Sequence, residues 1–223
     1  MSKYHHQQAR KTTRVRRLFA AVLVLGCALG AVTNAAAQKV MPPKTPDAIT
    51  PPAGNTAFLV GHAFGTQGYT CLPTSTGGTA WSVSARPEAT LFLDIFGHPL
   101  QIITHFASID ENPNAFAPNP VPLSGNATWQ SSFDTSKVWA QKTGAIDGGS
   151  DPNSCPNTGA IPCLLLQSIG NQEGPTGGKL LANVTFVQRL NTKAGAAPTT
   201  ACSVGQTQLQ PYEADYFFFR ADQ

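Results

Sequence analysis

His105 is the residue in this chain best placed to do chemistry. In the extended run 100–106, Leu100, Ile102 and Phe106 fall on one side, so His105 points the other way, with Gln101 and Ile103. An imidazole there reaches solvent or a cleft, and a carboxylate from Asp94, Asp110 or Asp134 beside it would let it act as a general acid or base. The fullest version of such a site pairs His105 with Asp134 and flanks them with Gln67, Tyr69 and Trp129, an arrangement for a hydrolase or isomerase. The plainer reading is a histidine hydrogen-bonded within a sheet.

Other side chains offer weaker chemistry. Trp81, Trp129 and Trp139, with Tyr69, have faces that cover the apolar side of a sugar ring or fill a core. Arg189 shares a strand face with Val187 and Thr185, with either Asp215 of the last strand or solvent for a partner. The stretch from Asp147 to Asn153 gathers oxygen ligands that could hold calcium, but its spacing matches neither the EF-hand nor the nonapeptide repeat, and an ordinary turn-rich loop is expected. His62 and His98 fall at turn or surface positions, and no spacing among these histidines predicts a metal site. Asn126-Ala127-Thr128 and Asn183-Val184-Thr185 fit the N-glycosylation tripeptide. Nucleophile-elbow, zincin, Walker and dinucleotide-binding glycine patterns are absent, so the sequence implies no cofactor and no named reaction.

Residues 1–37 read as a cleaved export signal. Lys3, Arg10, Lys11, Arg14, Arg16 and Arg17 precede an apolar run over 18–32, and Ala35-Ala36-Ala37 supplies a small-residue cleavage site near Ala37. As a helix the run is about 22 Å long, short of the ~30 Å a membrane span must cross. Arg16-Arg17-Leu18-Phe19 leaves the twin-arginine route open beside the general one. Six of the fifteen basic residues lie in this leader, so the remainder carries nine against twelve acidic ones, a formal charge of −3. An acidic body without a basic cluster disfavours nucleic acid as a partner. No transmembrane segment is expected after processing, and the destination is the periplasm or the exterior.

An oxidising destination gives the cysteines a purpose. Beyond the leader there are four, Cys71, Cys155, Cys163 and Cys202, which permit three pairings. Spacing favours Cys155 with Cys163, which bracket a short proline-flanked loop, and leaves Cys71 to join Cys202. Without a C-x-x-C pair, zinc is not expected.

The elements that must position these residues are strands. Five prolines between Met41 and Pro52 make 38–54 an extended tether, and 55–223 is then a single β-rich domain. Its apolar residues alternate with period two, predicting strands over 57–64, 67–71, 81–85, 91–95, 100–106, 127–131, 137–141, 164–169, 183–189 and 212–220. A turn at Gly97-His98-Pro99 joins two of them into a hairpin, and the proline-rich stretch 110–122 is a long surface loop. Nine to ten short antiparallel strands with no helical stripe make an all-β fold, a sandwich or a closed barrel.

Several separated segments together resemble a family of small secreted proteins of fungi and bacteria classed as a domain of unknown function. They are Gly65-Thr66-Gln67-Gly68-Tyr69-Thr70-Cys71, Thr104-His105-Phe106, Thr128-Trp129-Gln130 with Asp134 and Val138, Ile161-Pro162-Cys163-Leu164-Leu165-Leu166, 184–192, Pro211-Tyr212 and 214–218. The resemblance spans roughly 55–220 and implies a secreted β-rich domain with no established activity. It also supports the pairing of Cys71 with Cys202, whereas Cys163 stands where the family has tryptophan, so Cys155 and Cys163 are a local addition. The stretch between Ser108 and Asn126 is a second departure. The polar residues the resemblance singles out are Gln67, Tyr69, His105, Trp129, Asp134 and Arg189. Converging on a cavity they would bind or catalyse, and scattered through the sheet they would be scaffold. The expectation is an exported, non-enzymatic module that binds carbohydrate or another small extracellular ligand. A secreted hydrolase or isomerase and a structural envelope component are the alternatives.

Overall fold

A computed structural model of the chain describes residues 40–83, 87–108 and 125–222. The leader 1–37, the proline-rich stretch 110–122 with Asp110, and the end of the expected strand 81–85 lie outside the described residues. The period-two alternation is realised as nine strands: β1 (Asn55–Pro73), β2 (Thr79–Val83), β3 (Glu88–Ile95), β4 (His98–Ser108), β5 (Asn126–Ser131), β6 (Lys137–Ile146), β7 (Cys163–Gln172), β8 (Phe186–Ala194) and β9 (Thr207–Ala221). A 3-10 turn at Asp47–Ile49 is the only helical segment among the described residues.

All neighbouring strands are antiparallel and belong to one sheet. From β3 to β9 each strand pairs with the next in sequence, and β9 then returns to pair with β1, which pairs with β3 through His62 to Thr66. Eight strands therefore form a ring, and β2 sits beside the far half of β1 through Tyr69 to Pro73. Ring closure satisfies backbone groups that the edges of an open sheet would leave unpaired.

Two local features differ from the sequence reading. The expected strands 57–64 and 67–71 are one continuous strand, β1, with Gly65 in its interior. A Cβ at Gly65 would lie 2.1 Å from the Glu88 carbonyl oxygen and 2.5 Å from the Ala89 Cβ, so this glycine allows β3 a close approach and does not mark a turn. The β3–β4 hairpin turns at Phe96 and Gly97, both at positive φ (54° and 80°), one residue earlier than the Gly97-His98-Pro99 expectation. Two successive left-handed residues match the strand twist in a two-residue hairpin, and Asp94 Oδ1 holds the turn by accepting from the Gly97 amide at 2.7 Å.

The two faces of the ring carry separate apolar clusters. On β9, Tyr212, Ala214, Tyr216 and Phe218 join the inner cluster with Leu91, Ile103, Trp129, Val138 and Val187. Phe217 and Phe219 face the other way, into a second cluster with Ile49, Leu165, Leu190 and the Cys155–Cys163 pair. The proline-rich stretch described from Val40 onward lies against this outer face. Ile49 is fully buried, its carbonyl accepts from Gln188 Nε2 at 2.6 Å, and a Cβ at Gly144 would meet the Ala48 carbonyl oxygen at 1.9 Å. This stretch is therefore packed onto the sheet, because Ile49 has an apolar surface to cover and Gln188 a donor to satisfy.

The disulfides are Cys71–Cys202 and Cys155–Cys163, with Cα separations of 5.9 and 6.0 Å, the pairing that spacing favours. Cys71–Cys202 ties the β8–β9 connection to the end of β1. Thr79 and Trp81 on β2 hold the same connection by donating to the carbonyls of Cys202 and Thr200 at 2.8 and 2.9 Å.

Candidate functional site

The interior of the ring is incompletely filled, leaving a cavity of about 500 Å³. That volume lies within the range of small-molecule sites. Gln67 and Tyr69 reach it from β1, His105 from β4, Trp129 from β5 and Arg189 from β8. Five of the six residues singled out from the sequence thus line one space, because each occupies an inward position of the period-two pattern.

His105 and Trp129 are directly opposite each other on paired strands. Their rings stack at 4.2 Å and 4° from parallel, with Tyr216 set against both at 5.4 and 5.7 Å. His105 Nδ1 lies 2.8 Å from the Thr128 carbonyl oxygen, which can only accept, so Nδ1 carries the proton and Nε2 the lone pair. Burial lowers the His105 pKa to about 3, helped by the Arg189 charge and opposed by the bond to Thr128. The imidazole is consequently neutral at ambient pH, a structural ring with one remaining acceptor. Tyr69 donates its hydroxyl to the Gly195 carbonyl at 2.7 Å, and burial raises its pKa against the opposing influence of Arg189.

Arg189 does not pair with Asp215. On β8 it shares the inward face with Val187 and stands opposite Leu164 and Tyr216 in the neighbouring strands. Its Nε and one Nη donate to the Pro162 carbonyl at 3.1 and 2.8 Å. Asp215 is one position out of phase and faces outward, where it bonds His62 at 2.6 Å and Asn191 at 2.8 Å. The three ion pairs among the described residues are His62–Asp215, Lys179–Glu173 and Lys193–Glu213, so the buried guanidinium has no carboxylate partner among them. Lys142, an exposed residue of β6, is a second cation on the wall, and among the described residues no aspartate or glutamate lines the cavity.

Asp134 is not brought into this space. It sits in the β5–β6 turn, where its carboxylate accepts from the Ser136 amide at 3.1 Å, the Ser136 hydroxyl at 2.7 Å and the Leu180 amide at 2.8 Å. Gly178 and Gly174 come close enough that a Cβ on either would collide with Asp134. Partial burial alone would raise its pKa, but these hydrogen bonds outweigh it and lower the value to about 2. Asp134 is a clamp between two turns, and the His105–Asp134 pair does not form. Asp134→Asn is expected to lower the unfolding free energy at pH 7 by about 1–3 kcal/mol, because one of its oxygens becomes a donor facing amide donors. Urea unfolding of the variant measures this, and an unchanged midpoint would show the clamp to be idle.

The remaining candidates are accounted for locally. Trp129 and Trp139 lie on paired strands but on opposite faces of the sheet, both almost wholly buried, and Trp81 is on β2, so the three form no platform for a sugar. In the 147–153 loop, Asp151 accepts from the amides of Asn153 and Ser154 and from the Ser154 hydroxyl, a self-contained turn. Asn126 is buried in the cavity wall. The sequence reading missed Lys142 because it ended β6 at Gln141, whereas the strand runs on to Ile146 past a register shift between Lys142 and Gly144.

Fold and site together define an antiparallel all-β domain closed into a ring around a ligand-sized cavity that, among the described residues, carries cations and no carboxylates. The chain belongs to the family described as Protein of unknown function (DUF3455), whose model matches residues 52–220. No curated protein and no solved structure matches the chain.

Proposed function

We propose that this protein is an exported, non-enzymatic binding module whose small ligand sits inside the strand ring, against Gln67, Tyr69, His105, Trp129 and Arg189. The observation that carries the reading is the convergence of these five side chains on one cavity of about 500 Å³. Against a hydrolase or isomerase stands the chemistry of His105. Its neutral ring is fixed by Thr128 and has no carboxylate beside it among the described residues, while Asp134 is engaged by Ser136 and Leu180. A purely structural role has no use for a cavity of this size into which buried polar side chains are brought. Two disulfides and the lack of a membrane-crossing helix among the described residues are compatible with a periplasmic or extracellular location. Export itself rests on the charged, apolar leader and its small-residue cleavage site.

The test is a fragment library of neutral, acidic and basic small molecules screened against the full chain by NMR. Hits that move the Trp129 indole and His105 ring signals support the reading. A library with no hits at millimolar concentration, or hits that move only residues outside the cavity, would overturn it.

A further inference from the structure

The charge inside the ring selects a ligand class. Arg189 is 7% exposed, uses two of its five N–H groups on a single backbone carbonyl and has no carboxylate partner among the described residues. A buried cation left in this state lacks the compensation that a paired one receives, and a fixed guanidinium fork matches a planar carboxylate. Lys142 adds positive charge to the same wall.

The polar groups beside Arg189 point to the same class. Gln67 and Asn126 are both more than nine-tenths buried, line the cavity and end in amide nitrogens without a hydrogen-bond partner among the described residues, and Trp129 Nε1 likewise lacks one there. Rotation of either carboxamide about its last bond exchanges the atom that faces the cavity, so each can present its amide donor or its carbonyl acceptor. A neutral sugar is typically held by carboxylate acceptors for its hydroxyl protons, and no carboxylate lines this wall among the described residues. The lining next to Arg189 is apolar, built from Ile161, Leu164 and Leu166.

We infer that the cavity takes a small amphipathic carboxylic acid in its ionised form, with the carboxylate on Arg189 and the apolar body against Ile161, Leu164 and Leu166. This rests on the binding reading above and narrows it to one chemistry. Neutral Nε2 of His105 can accept a hydrogen bond from a hydroxyl or amide elsewhere on the ligand, which favours an acid that carries one such donor.

The test compares acids with amides of the same shape on the unmutated full chain. Hexanoate and benzoate are titrated at pH 7 against hexanamide and benzamide, with the Trp129 and His105 signals as readout. The acids are expected to bind at least about tenfold more tightly than the amides, the discrimination that a charge-assisted bidentate contact supplies. Added salt is expected to weaken the acids alone, and Arg189→Gln to abolish the preference. Equal binding of acids and amides would overturn the anion assignment while leaving the cavity as a site. So would silence from all four probes while neutral fragments of the wider library bind. Silence from every fragment would overturn both readings. Should Arg189→Gln fail to fold, the acid-to-amide ratio of the unmutated chain decides by itself.

Discussion

Replacing Cys71 and Cys202 together by serine is expected to lower the unfolding free energy by about 5 kcal/mol, the largest effect of any single change considered for this fold. The bridge spans 131 residues of sequence, so its loss returns almost the whole ring to an unconstrained unfolded chain. Cys155–Cys163 spans only 8, and the same chain-entropy relation gives about 2.5 kcal/mol for its removal. The local consequences of losing the longer bridge add to this. Cys71 exchanges backbone hydrogen bonds with Gln206 and Gly205, and Tyr69 two residues earlier reaches the Gly195 carbonyl, so freeing Cys202 loosens the connection that braces the cavity wall. Urea unfolding of the two double variants measures both values. Equal losses, or a larger loss for the short bridge, would show that the long closure does not set the stability.

The second large effect is acid sensitivity set by His105. A histidine whose pKa falls from 6.5 to about 3 on folding binds fewer protons in the folded than in the unfolded state between those values. Its contribution is therefore complete above pH 6.5 and is lost as the pH falls toward 3. Between pH 6.5 and 4.5 the loss is about 2 kcal/mol, and it approaches a limit of about 5 kcal/mol below pH 3. His105→Phe keeps a flat ring against Trp129 and removes the titrating group. The variant is expected to start less stable, having lost the bond to Thr128, and to show a correspondingly flatter decline between pH 6.5 and 4.5. Subtracting its pH profile from that of the unmutated chain cancels His62, His98 and the carboxylates common to both. A difference profile without slope in that window would mean that the imidazole is not held neutral inside the ring.

Much of this architecture was legible because alternation is a strong signal where one strand face is buried and the other is not. On β9 it separated Tyr212, Ala214, Tyr216 and Phe218 from Phe217 and Phe219, and the structure puts these sets in different clusters. The same rule placed His105 opposite Phe106. It could not show that the ring closes, because closure is a pairing of Asn55–Thr70 with the last strand, more than a hundred residues away, and leaves no local mark. The disulfide pairing was readable from spacing because only one of the three options encloses a short loop.

The misreadings share a cause, which is that adjacency across strands depends on register. Asp215 looked like a partner for Arg189, but Arg189 stands opposite Tyr216, and a shift of one position sends the carboxylate to the other face. Asp134 looked like a partner for His105, yet it belongs to a turn whose geometry is set by the Leu180 amide, 46 residues further on. The strand reading stopped at 64 and resumed at 67, whereas β1 runs through Gly65, whose missing side chain serves a neighbouring strand. Ile49 gave no signal at all, since a lone isoleucine among prolines has no periodicity to reveal the face it covers.

The most direct test of the account is a crystal structure of the full chain grown with hexanoate. The account predicts the carboxylate inside the ring, about 2.7–2.9 Å from the Arg189 guanidinium, with the alkyl chain along Leu164 and Leu166. A ligand seated anywhere else, or a guanidinium that meets only the Pro162 carbonyl while the acid is bound, would contradict it.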